Sequence, residues 1–221
     1  MKALITGASR GIGRAVAERF LALGHEVHGI DIRPSGIEAP LYTHHVADIR
    51  DKKALPDIEG AAILFCNAGI QQGEADIQTN LVGAINVTEK YIKRNGALRS
   101  ILFNASASSI SGQEFPYYAA SKAGLVGYMR NVAIRTAPRG VTCNAISLGG
   151  VLTESNDAVM RDPDMWKAIM DVTPMKKWTT LSEVCDWVVF LTTANRSMSG
   201  QNLLIDNGEK DLNPTFVWPG Y

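Results

Sequence analysis

Tyr118 and Lys122, four residues apart in Tyr118-Ala119-Ala120-Ser121-Lys122, carry the strongest chemical signal in the chain. On a helix the two side chains stand one turn apart on the same face. A phenol with a pKa near ~10 is a poor base at neutral pH, but a neighbouring ammonium favours the phenolate. A drop of ~3 units corresponds to about 4 kcal/mol, within reach of a desolvated site. The bare spacing occurs by chance in many proteins. The small residues between the pair, with Ala123-Gly124 after it, set this occurrence apart. Tyr117 has Ser121 at its fourth place and is the less suitable base.

A second signal lies near the start, in Thr6-Gly7-Ala8-Ser9-Arg10-Gly11-Ile12-Gly13. The glycines stand where an apolar strand hands over to a helical pattern. Such a turn lets backbone N–H groups approach a pyrophosphate at a helix N-terminus, where the helix dipole favours an anion. The spacing Gly-x3-Gly-x-Gly differs from the more general dinucleotide fingerprint. A tight strand-to-helix turn without a ligand would use the same residues.

The elements that must position these groups alternate from the first residues, which predicts an α/β fold with a parallel sheet. Candidate strands are residues 2–6, 26–32, 42–46, 61–66, 100–105, 140–145 and 201–206. Candidate helices follow Gly11 (Ile12, Ala15, Val16, Phe20 and Leu23 recur at helical spacing) and span roughly 76–94, 115–136 and 181–194. Pro34, Gly36 and Pro40 break the stretch after the second strand too often for a crossover helix. With no repeat and no linker-like shift, residues 1–221 read as a single domain.

Composition narrows the function. The 221 residues carry 22 Lys+Arg against 22 Asp+Glu, with 46% hydrophobic and 20% charged residues. The neutral balance lacks the basic footprint of sequence-independent nucleic-acid binding. No apolar run approaches the ~18–20 residues that span a bilayer. The opening Met-Lys and three apolar residues are too short for a signal peptide. Cys66, Cys143 and Cys185 are widely spaced among hydrophobic residues and read as buried thiols. A soluble, cytoplasmic protein is expected. His25, His28, His44 and His45 lack ligand spacing, so no metal site is expected.

The glycine octet and the Tyr-x3-Lys segment resemble those of the short-chain dehydrogenase/reductase family, and later segments extend the resemblance over nearly the whole chain. It implies a doubly wound Rossmann-type domain with a seven-stranded parallel sheet. It also implies a nicotinamide dinucleotide and hydride transfer between a small-molecule alcohol and its ketone. In that reading Gly7, Ser9, Arg10, Gly11, Ile12 and Gly13 form the pyrophosphate loop. Asp48-Ile49 matches the adenine-contacting pair, although an ordinary strand-end aspartate fits equally. Asn67-Ala68-Gly69 matches the element beside the cofactor, and Val151 and Thr153 the carboxamide contacts. Tyr118 is the implied general acid/base and Lys122 its partner on the nicotinamide ribose. Ser106 is implied to hold the substrate oxygen, with Ser108 close enough to compete, and Asn80 to carry the proton path outward. A homodimer or homotetramer is expected by the same analogy.

Asp31 ends the second strand about twenty residues past the glycines, where a carboxylate accepts from adenosine ribose hydroxyls. It would repel a 2′-phosphate at a cost of about 1–4 kcal/mol. NAD is therefore the expected cofactor, with NADP the alternative that Arg10 and Arg33 support. A non-catalytic dinucleotide sensor is the competing class, although it has no need of a proton relay. Departures from the family pattern are the short stretches 31–46 and 67–80, Leu148-Gly149 in place of Pro-Gly, and Asn207 before Gly208. Residues 152–180, rich in Met and Trp, are expected to form a substrate lid or a buried helix, with Gln113 and Phe115 also within reach of substrate. The aromatic tail 211–221 is expected to pack on a neighbouring subunit or over a cleft.

Overall fold

A computed structural model describes residues 1–94, 96–112 and 115–212. Gln113 and the tail from residue 213 onward therefore lie outside the described residues. The elements run β1 (Lys2–Thr6), α1 (Gly11–Ala22), β2 (Glu26–Asp31), β3 (Tyr42–Val46) and β4 (Ile63–Cys66). A π-helical segment Ile77–Gly83 leads into α2 (Ala84–Arg94), then β5 (Ser100–Asn104), α3 (Ser108–Ser111) and α4 (Pro116–Thr136). The remainder is β6 (Thr142–Leu148), α5 (Asp157–Met160), α6 (Pro163–Val172), α7 (Leu181–Val189) and β7 (Asn202–Ile205).

All seven strands pair in parallel in the order β3-β2-β1-β4-β5-β6-β7. Chain order reverses between β1 and β4, and a crevice opens beyond the strand ends at such a switch point. The central strands are covered on both faces, so β4, β5 and β6 are buried along their whole length and β1 from Ala3 to Thr6. Alternate residues then point to opposite layers. Leu4, Leu64, Ile101 and Phe103 meet Val87 and Tyr91 of α2 and Leu125, Met129 and Val132 of α4. Ala3, Ile5, Ile63, Phe65 and Leu102 meet Val16, Ala17 and Phe20 of α1 and Val184 and Val188 of α7. Each large side chain buried this way contributes about 1.5–3 kcal/mol.

Two sequence expectations change. The sixth strand, expected over 140–145, runs Thr142–Leu148, so Leu148 belongs to the strand rather than to the turn after it. Gly140, at φ 69°, lies in the turn before the strand, which fixes the later start. The helix expected over 76–94 is not uniform, because its first part is wound as a π-helix. Residues 32–41 form no helix, as the prolines predicted, and β3 is left at a partly exposed sheet edge with Val46 66% accessible. Cys66, Cys143 and Cys185 are free and buried, and burial pushes all three thiols up.

The lid expected over 152–180 contains the short helices α5 and α6, neither with a buried residue, so it is not a core helix. It is anchored by Trp178, which packs edge-on to Trp166 and lies flat against Gly150. A Cβ on Gly150 would fall 2.0 Å from the indole. Gly150→Ala is expected to destabilise the fold by about 1–3 kcal/mol through overpacking. Thermal unfolding checks this, and an unchanged midpoint would show that the indole is not held there.

Candidate active site

The crevice at the switch point has a volume of about 630 Å³, and Gly7, Arg10, Asp31, Asp48, Asn67, Tyr118 and Lys122 are among its lining residues. Its floor is a cross-strand hydrogen-bond network. Thr6 Oγ1 accepts from the N–H groups of Asn67 and Ala68, both at 3.0 Å. Asn67 Nδ2 donates to Thr6 O at 3.0 Å, and Asn104 Nδ2 donates to Asn67 Oδ1 at 2.9 Å. The ends of β1, β4 and β5 are thereby tied together under the crevice.

The glycine loop has the geometry of an anion cradle. Gly7 (φ 70°) and Gly11 (φ 53°) adopt left-handed conformations that favour glycine. A Cβ on Gly13 would lie 2.0 Å from Gly7 O, so the turn closes only with glycine there. The N-terminus of α1 has no side-chain cap and no acid in its first turn, leaving its amides and dipole for an anion. Gly7, Arg10, Gly11 and Ile12 line the crevice, whereas Gly13 is packed beneath it. Ser9 acts indirectly: its N–H donates to Asp31 Oδ2 at 3.1 Å and its Oγ to Arg33 O at 3.0 Å.

Asp31 is held at both oxygens, since Oδ1 also accepts from Arg33 N at 3.0 Å. Asp48 and Ile49 line the same side. Arg50 binds Asp48 through Nε and Nη2 and holds its carboxyl below the usual carboxylate range. Gly83 leaves room for Ile49, whose Cδ1 would lie 2.7 Å from a Cβ there.

At the opposite end Tyr118 and Lys122 project from α4 into the crevice, with Lys122 Nζ 5.6 Å from the Tyr118 ring centroid. Lys122 is buried, and Nζ donates to Asn104 O at 2.7 Å. Burial pushes its pKa down to about 8, an effect that Asp76 opposes. Asn80 sits on the π-helical segment, a local widening often found at functional sites. Its amide clasps Ile70, accepting from the N–H and donating to the carbonyl at 2.8 Å each, and also donates to Ser121 Oγ at 3.0 Å. A Cβ on Gly69 would lie 3.1 Å from Asn80 Oδ1 and 3.4 Å from Lys122 Nζ, so both groups border the same glycine.

Other expected residues are less directly placed. Ser106 is buried, and its Oγ donates to Ser108 Oγ at 3.3 Å and accepts from Ser108 N at 3.2 Å. The two candidate serines are thus one hydrogen-bonded pair. Val151 is buried and bridges to Thr179, while Thr153 lines the crevice. Phe115 is exposed at the start of α4. His28 stacks on His45 and bonds it at 3.0 Å, and no metal-binding cluster occurs among the described residues. Sequence reasoning missed Thr6, Asn104 and Ser121, whose roles arise from contacts across the sheet.

The family model described as enoyl-(acyl carrier protein) reductase matches residues 61–210. The chain belongs to the short-chain dehydrogenase/reductase family. It is similar to glucose 1-dehydrogenase of Gluconobacter oxydans, with 32% identity over 94% of this chain and 91% of that protein. A 3-oxoacyl-[acyl-carrier-protein] reductase of Mycobacterium tuberculosis is 30% identical over 93% of this chain and 91% of its own length. Among solved structures, a putative 2-deoxy-d-gluconate 3-dehydrogenase from Agrobacterium tumefaciens with bound NADP superposes with a TM-score of 0.86. It is 28% identical and covers 94% of this chain and 95% of its own. As a member of this family the chain is an NAD(P)-dependent oxidoreductase acting on CH–OH and keto groups. Gly13→Ala is expected to weaken NADH binding by at least about tenfold, a loss of ~1.4 kcal/mol or more. Cofactor fluorescence titration reads this directly, and unchanged affinity would contradict the cradle.

Proposed function

We propose that the chain interconverts a secondary alcohol and its ketone with Tyr118 as the general acid/base. The observation that carries this reading is the shared crevice wall on which Tyr118 and the buried ammonium of Lys122 stand, opposite the glycine cradle. The dinucleotide, when bound, accepts or supplies the hydride. Gly7, Gly11 and Ile12 would hold its pyrophosphate, Asp48 and Ile49 its adenine, and Val151 and Thr153 its carboxamide.

Oxidation begins with the substrate hydroxyl held by Ser106, whose Oγ turns from Ser108 to the substrate oxygen. Tyr118 takes the hydroxyl proton, and Lys122 stabilises the phenolate charge across the short gap to the ring. Lys122, which donates to Asn104 O, would also hold the nicotinamide ribose. Asn80, which borders Gly69 as Lys122 does and is fixed to the Ile70 backbone, carries the proton route outward. Reduction runs the same steps in reverse. The non-catalytic sensor is not favoured, because the relatives are dehydrogenases and reductases.

NAD is the preferred cofactor in this reading. Two backbone donors fix the Asp31 carboxylate in the crevice, where it would accept from ribose hydroxyls and oppose a 2′-phosphate. Arg10 and Arg33 line the same rim, so NADPH remains the second reading. The relatives' names span glucose and a 3-oxoacyl group on acyl carrier protein, so the substrate is proposed only as an alcohol or ketone. No described helix is long and apolar enough to cross a membrane. We place the protein in the cytoplasm as a homodimer or homotetramer, which light scattering of the full chain checks.

Two outcomes follow from these assignments. Tyr118→Phe is expected to lower turnover by on the order of 10²–10⁴-fold while NADH titration stays close to wild type. Retained turnover would remove Tyr118 from the chemistry. Asp31→Ala is expected to raise NADPH affinity relative to NADH by roughly tenfold or more, about 1.4 kcal/mol of relieved repulsion. Unchanged discrimination in paired titrations would contradict the role of the carboxylate.

A further inference from the structure

Asp76 is a fully buried carboxylate that the proposed mechanism does not use. Its Oδ1 accepts from Gln72 N at 2.7 Å, whereas Oδ2 is buried without a donor among the described residues. A buried carboxylate held by a single backbone donor is costly unless a positive charge lies close by. Asp76 precedes Asn80 by one turn, and both side chains clamp the same short loop, Asn80 at Ile70 and Asp76 at Gln72. Asn80 Oδ1 and Lys122 Nζ both lie beside Gly69. The negative charge of Asp76 acts to raise the Lys122 pKa against the lowering by burial.

Of the other charged groups on the packed elements, Lys93 and Arg130 are exposed. Glu74 accepts from the Tyr117 hydroxyl at the surface, Glu89 pairs with Arg135 and Tyr128, and Lys90 reaches Leu55 O and Asp57. The titratable group facing Lys122 from its own helix is Tyr118.

We propose that Asp76 is a positioning residue of the proton relay, a buried counter-charge that keeps Lys122 an ammonium beside Tyr118. It does not touch substrate or dinucleotide; it acts through Lys122. This rests on the reading of Tyr118 and Lys122 given above. The negative field of Asp76 disfavours the first proton loss from the coupled Tyr118–Lys122 pair, whichever group releases it. Removing that charge while keeping the shape must therefore move the first loss to lower pH. Asp76→Asn does this and retains an oxygen for the Gln72 N–H, so a purely structural role would leave the titration unmoved.

The test is a ¹⁵N NMR titration of the Lys122 side chain without dinucleotide, in wild type and in Asp76→Asn, with the pH profile of ketone reduction alongside. The proposal expects the lysine midpoint and the alkaline limb of reduction to fall by about one unit in the variant. A midpoint unchanged in a folded variant would overturn it. In wild type, ¹³C NMR of the Asp76 carboxyl group supplies a readout that needs no variant. Ionisation complete by neutral pH supports the counter-charge, and a carboxyl still protonated there overturns it. Because the NMR readouts are taken without turnover, failure of this inference is distinguishable from failure of Tyr118→Phe to lower activity.

Discussion

A lysine ammonium taken out of water at the end of a parallel sheet is the constraint around which the crevice is arranged. Lys122 is 4% exposed, and burial pushes its pKa down to about 8. Such a charge is retained only where dipoles and charges replace the lost hydration. Here the Asn104 carbonyl at the end of β5 accepts a hydrogen bond from it at 2.7 Å. Asn104 is itself fixed through Asn67 to Thr6, so the position of the ammonium is referred back to the central strands β1, β4 and β5. The same strand ends orient the glycine turn. One rigid edge therefore sets the distance between the anion cradle and the proton-handling helix.

Side chains alone would not fix that distance. Gly69 leaves space where a Cβ would press on both Asn80 and Lys122, and Gly13 lets α1 start directly against Gly7. The widened π-helical segment presents Asn80 to Ile70 and Ser121 together. At the other end the absence of a helix between β2 and β3 leaves the adenosine side framed by backbone contacts. His44 Nε2 lies 2.8 Å from Arg33 O, and Tyr42 OH lies 2.9 Å from His44 Nδ1. The shortened flank is thus braced by side chains of the edge strand rather than by a covering helix.

Much of this was legible in the sequence, and the reasons differ by feature. The strands showed as apolar runs because parallel strands are covered on both faces, and Pro34, Gly36 and Pro40 announced the missing helix. Gly7, Gly11, Gly13, Tyr118 and Lys122 were legible because local backbone geometry and helical spacing fix their relations. What stayed hidden depends on contacts between distant segments. Thr6 with Asn67, Lys122 with the Asn104 carbonyl, and Trp178 on Gly150 have no local pattern. The start of β6 was misplaced because Val141 and its neighbours read as strand, whereas the left-handed turn at Gly140 delays it. Ser106 and Ser108 compete for one role in the sequence because they are two residues apart, and the two hydroxyls are hydrogen-bonded to each other.

The central claim is that a dinucleotide lies across the switch-point crevice with its reactive end against Tyr118 and Lys122. A crystal structure of the chain with bound NADH tests it most directly. The account predicts pyrophosphate on the amides at the start of α1 and the nicotinamide ribose within hydrogen-bond distance of Lys122 Nζ. A dinucleotide bound elsewhere, or a Tyr118 hydroxyl turned away from the nicotinamide, would contradict it.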